Sequence, residues 1–81
     1  MSFERRTVTV EAGSDRAYDP AEWFDALVVV ERGEVDLECD AGGFARFRQG
    51  DILWLAGLPV RTLHNPGPDD AVLVAISRVR V

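Results

Sequence analysis

The chain has 81 residues and a formal net charge of −5, with nine basic residues, all of them arginine, against fourteen acids. That balance argues against nucleic acid and anionic membrane as partners, because repulsion would have to be overcome locally. The single cysteine, Cys39, excludes an intramolecular disulfide, and one thiol with one histidine makes no metal-ligand cluster.

One domain over residues 1–81 is expected. A domain of this size buries only roughly 60% of its unfolded surface, so self-association would help it. No stretch is long enough to span a bilayer, and Met1 to Arg6 lacks the apolar core of a signal peptide, so a cytoplasmic location is the expectation. Glu38 and Asp40 flank Cys39 and disfavour a thiolate; a small buried hydrophobe is its expected role.

Taken in order, strand signals dominate. Thr7 to Val10 alternates with period two. Pro20 to Phe24 could form one helical turn, with Asp19 as its cap and Pro20 at the first position. Ala26 to Val30 is a continuous apolar run, too short and too β-branched for a helix. Glu34 to Cys39 places Val35, Leu37 and Cys39 on one face and three acids on the other. Phe44 to Arg48, Ile52 to Leu55, Val60 to Leu63 and a long last strand from Ala71 to Val81 follow, with Gly and Pro turns between them. Many short, evenly spaced strands predict an all-β antiparallel sandwich or barrel.

The Glu34–Arg48 hairpin can be placed in register. A three-residue loop at Ala41 to Gly43 pairs Cys39 with Ala45 and Leu37 with Phe47 inside, and Glu38 with Arg46 and Asp36 with Arg48 outside. A one-residue slip would set acids against apolar partners, which argues for an odd loop.

The segment Gly50 to Gly67 runs apolar strand, Gly/Pro corner, second strand, then Asn65-Pro66-Gly67. This order resembles the second motif of the cupin family. Val28 to Val35, a strand ending at Gly33, and Arg48-Gln49-Gly50-Asp51 resemble further segments of it, so the resemblance covers about Asp25 to Ser77. It implies an antiparallel double-stranded β-helix, the jelly-roll barrel. The family's metal site is three histidines and a glutamate. By position these fall near Pro20 and Glu22 (or Asp19 and Ala21), on Ala26, and on Arg61. With one histidine in the chain and a guanidinium at the last position, no metal and no other cofactor is expected.

Members of the superfamily without metal often keep the barrel as a small-molecule pocket, some as sugar epimerases. The resemblance aims Arg61 and Leu63 inward, and Arg61 suits a carboxylate or phosphate; alternatively it pairs with Asp25 or Glu22. Trp23 and Glu22 complete the candidate ligand-binding set, with Arg61 and Leu63. Tyr18, Phe24 and Trp54 line a pocket or pack in the core or an interface. Trp54 invites interface burial, because its strand is apolar on both faces. His64 is expected on the outer face beside the Asn65-Pro66 turn, without a partner to orient it as a base. The function expected is a metal-free, homodimeric binding or sensing module for a small molecule, possibly an anionic metabolite. The alternatives are a metal-independent epimerase, isomerase or cyclase, and an interaction module whose barrel is filled by its own side chains.

Overall fold

A computed structural model describes residues 2–78. Eight strands run in chain order: β1 (Phe3–Val10), β2 (Asp15–Ala17), β3 (Ala26–Arg32), β4 (Glu34–Cys39), β5 (Phe44–Arg48), β6 (Ile52–Trp54), β7 (Val60–His64) and β8 (Ala71–Arg78). They form two antiparallel four-stranded sheets, ordered β1-β8-β3-β6 and β2-β7-β4-β5. The predicted all-β class is therefore observed. No described residue is helical, so no helix is long and apolar enough to cross a membrane.

Alternation explains the core. Val8 and Val10, Val28 and Val30, and Leu73 and Ala75 point in from the first sheet; Val35, Leu37 and Leu63 point in from the second. Trp23 and Leu55, from connecting segments, are buried among them. Each fully buried Val or Leu contributes roughly 1.5–3 kcal/mol, and the two inner faces supply most of them.

Four expectations need correcting. The Pro20–Phe24 segment makes hydrogen-bonded turns and no helix, although the Asp19 side chain does accept from Ala21 N, at 3.0 Å, and its carbonyl from Glu22 N. β1 begins four residues earlier than the alternation from Thr7 indicates, and β2 was not foreseen at all. The β4–β5 hairpin has a three-residue loop, but it lies at Asp40 to Gly42. Cys39 N donates to Gly43 O, Asp36 stands opposite Arg46, Val35 opposite Phe47 and Leu37 opposite Ala45. Gly42 takes the left-handed position, φ 90°, that closes such a loop, while Asp40 N is tied to Pro59 O. The shift moves the register by two residues, so every side chain keeps its face. Cys39 is half-buried and not a core residue. The last strand is described as far as Arg78; its expected end at Val79 to Val81 lies outside the described residues.

Candidate functional site

One end of the sandwich is closed by the turn from Tyr18 to Asp25, which sits between two open clefts. The larger, about 430 Å³, is lined by Tyr18, Trp23, Phe24, Asp40 and the 56–60 corner. The smaller, about 200 Å³, is lined by Glu4, Arg6, Glu22, Phe24 and Ser77.

Local chemistry places the polar groups of this turn. Arg16 is the middle residue of β2, opposite Leu63, so it shares the inner face with that buried leucine. A guanidinium on an inner face needs a partner, and Arg16 Nη2 meets Glu22 Oε2 at 2.6 Å. Arg6 shares the inner parity of Val8 and Val10; it donates to the Glu22 carbonyl and lies 5.6 Å from the centroid of the Trp23 ring. Tyr18 stacks on Trp23 at 6.4 Å, 12° from parallel. Burial, reinforced by Asp19, raises the Tyr18 hydroxyl above its ordinary range.

Three buried polar atoms here have no hydrogen-bond partner: Arg16 Nε, Glu22 Oε1 and Trp23 Nε1. Buried polar groups are nearly always satisfied, so three within eight residues mark this turn as unusual. Asp25, at its end, takes φ 54°, the one left-handed non-glycine among the described residues. Strain of this kind clusters at functional sites.

The residues singled out from the sequence fare differently. Trp23 and Glu22 come together here. Leu63 is fully buried in the core and lines neither cleft. Arg61 is exposed, against the expected inward aim. The register explains why. Glu38 pairs with Thr62 but Cys39 with Val60, so Arg61 is the extra residue of a β-bulge and the alternation breaks there. The acids suggested as its partners are engaged elsewhere, Glu22 by Arg16 and Asp25 by Arg78 at 3.5 Å. Arg6 and Arg16 escaped the sequence reading. The parity of Val8 and Val10, extended back two residues, would have placed Arg6; nothing in a three-residue strand without apolar residues on its inner face signals Arg16.

The metal site of the cupins that the sequence resembles does not fit this donor set. Ala26 offers no ligand atom, Arg61 carries a positive charge, and the Glu22 carboxylate is held by Arg16.

A second polar cluster lies on the outer face of the β2-β7-β4-β5 sheet. His64 is on that face, as expected, but it has two orienting partners that were not foreseen. Nδ1 is 2.6 Å from Asp15 Oδ1 and Nε2 is 2.8 Å from Glu38 Oε1. With an acceptor at each nitrogen the ring must donate from both, so the imidazolium is favoured; Glu38 first, and then Asp15, raise its pKa. Phe44 leans against the ring at 5.8 Å. Beside it, Arg46 grips Asp36 through Nε at 2.8 Å and Nη2 at 3.1 Å and holds that carboxyl below its usual range.

No family model and no curated protein matches the chain.

Proposed function

We propose that this chain is a cupin-like, metal-free binding module that takes a small molecule at the end of the sandwich closed by the Tyr18–Asp25 turn. The observation that carries the reading is the trio of unpartnered buried atoms, two donors (Arg16 Nε and Trp23 Nε1) and one acceptor (Glu22 Oε1), around the turn that separates the two clefts. Trp23 lines the larger cleft, Glu22 the smaller, and Arg16 lies behind Glu22 and lines neither. Two donors, reinforced by the Arg6 guanidinium, suit a carboxylate; the lone acceptor suits a hydroxyl or ammonium next to it. A small hydroxy- or amino-carboxylate meets both demands. Arg61, whose carbonyl accepts from Tyr18 N, stands next to the larger cleft and is available as an outer anchor.

A catalytic base is not part of this reading. Both ring nitrogens of His64 are occupied by carboxylates, and it lies on the opposite face of its sheet from Leu63 and the core.

The test is an amide NMR titration of the protein with malate, glycerate and serine. Binding should move the signals of residues 16–23 and the Trp23 indole N–H. Trp23→Phe and Glu22→Gln should each weaken it at least tenfold while leaving the remaining spectrum folded. If none of these probes moves the Trp23 indole signal, the clefts are surface relief only and the reading fails.

A further inference from the structure

His64 and the Tyr18–Asp25 turn are joined through β2, which contacts one on each face of its sheet. The strand is only Asp15-Arg16-Ala17. Alternation sends Asp15 outward to His64 Nδ1, at 2.6 Å, and Arg16 inward to Glu22 Oε2, also at 2.6 Å. Arg16 holds one oxygen of a carboxylate whose other oxygen, Oε1, is buried without a partner, and Glu22 lines the smaller cleft.

From this arrangement, and resting on the binding reading above, we propose that the proton on His64 regulates the ligand site, with β2 carrying the signal from Asp15 to Arg16 and so to Glu22. An imidazolium has two N–H groups and a neutral imidazole one. With a carboxylate at each nitrogen, loss of the proton leaves one acid facing a lone pair, and that acid withdraws. Position decides which. Glu38 belongs to β4, which is paired with β7 on one side and β5 on the other, and its side chain is 23% exposed. Asp15 belongs to the edge strand, is 66% exposed, and is the one to leave. Backbone bonds from Asn65 N to Ser14 O and from Tyr18 N to Arg61 O anchor both ends of β2. The strand therefore shifts in its middle and stays attached, and its middle residue is Arg16.

The other groups around the ring leave this role to Asp15. Asp36 of β4 stands opposite His64, but Arg46 of β5 holds it through two hydrogen bonds. Phe44 of β5 covers the ring, and Thr62, next on that face of β7, carries no charge. Glu38 and Asp15 both favour the charged ring, so the site is competent below the folded pKa of His64 and weakens as pH rises through it. With so exposed a partner the effect is small, about threefold in affinity.

Carbon-detected NMR of the full chain tests this regulation. Between about pH 6 and about pH 9, the Arg16 Cζ and Glu22 Cδ signals of the free protein should step at the His64 midpoint. In Asp15→Ala the ring still titrates against Glu38, but Arg16 and Glu22 should no longer follow it. Asp15→Asn should behave alike, because its amide can turn either an oxygen or an N–H to the ring, and it decides the matter if the alanine variant does not fold. Glycerate, ionised across this range, should bind about threefold more weakly at the alkaline end. Saturating glycerate should raise the His64 midpoint by about half a pH unit, the same factor seen from the other site. Glycerate that moves nothing at either pH defeats the binding reading, and the Arg16 and Glu22 signals decide the coupling without it. Three results would overturn the coupling: signals that stay flat in the wild type, glycerate bound equally at both ends of the range, or a step that survives in the Asp15 variants. The last would show the ring's charge acting directly through the sheet.

Discussion

The side-chain amide of Asn65 donates to the carbonyl of Val10 at 2.9 Å, joining the end of β7 in one sheet to the end of β1 in the other. The same nitrogen donates to Asp69 O at 2.8 Å, and the amide oxygen accepts from Gly67 N at 3.0 Å. Asn65 is the one buried polar residue among those described, 1% exposed, and all its contacts are to backbone.

Asn65→Ala should therefore cost about 3 kcal/mol, because it strands backbone groups that water does not reach. Asn65→Asp should cost more, since a carboxylate would face two carbonyls. Urea unfolding of the variants measures both. A loss below about 1 kcal/mol for the alanine variant would mean that the Asn65-Pro66-Gly67 turn holds itself without the side chain.

Gly33 links β3 to β4 with φ 74°, and a Cβ there would stand 2.7 Å from Asp70 O and 3.0 Å from Ala71 Cα. Gly33→Ala adds steric overlap with backbone to the cost of a left-handed residue and should lose more than about 2 kcal/mol. Gly42 has φ 90° and nothing within 4 Å, so Gly42→Ala should lose only about 1 kcal/mol. Equal losses in thermal melts would remove close packing from the account of Gly33.

Trp23 separates size from polarity. Trp23→Ala empties a ring-sized space at the core's end and should cost about 3–5 kcal/mol, enough to unfold much of a domain this small. Trp23→Phe keeps most of the volume and removes a buried donor that has no partner. It should cost less than about 1.5 kcal/mol. Comparable losses from the two would show that the indole N–H is satisfied in the folded protein.

The strands that build the core were legible in two ways: Val35 and Leu37 carry their burial in plain alternation, whereas Val28 and Val30, and Leu53 and Leu55, lie in short continuous apolar runs that mark a strand without marking its buried face. The hairpin slip between Asp36–Arg48 and Asp36–Arg46 went undetected because of the alternation along Glu34 to Cys39. Two registers that differ by two residues bury the same side chains, and only the loop and the ion pair distinguish them. The site was less legible. Arg61 broke its alternation at a bulge, and a bulge depends on how the neighbouring strand is held. Arg16 faces inward with no apolar neighbour to advertise it, and its partner Glu22 comes from a turn. Trp23 was legible as bulk, but its unpaired N–H depends on the surrounding fold.

His64 gives the pH dependence. In the unfolded chain its pKa is near 6.5, and in the folded protein Glu38 and Asp15 raise it. Between the two values the native state binds the extra proton, so stability falls with rising pH there. The contribution is complete below about pH 6.5 and is lost as pH climbs through the raised folded value. The ring is only a quarter exposed, but Asp15 is 66% exposed, so solvent and salt screen part of the interaction. The other groups on that face, Asp36 and Arg46, neutralise each other and do not titrate in this window. Asp36, whose pKa is lowered, contributes in the opposite sense: its stabilisation is present above about pH 3.8 and is lost in acid. Melting temperatures of the wild type should therefore decline from pH 6 to pH 9, more steeply at low salt, and His64→Gln should flatten that decline. An unchanged slope in the glutamine variant would mean that the clamp of β7 between β2 and β4 carries no net charge energy.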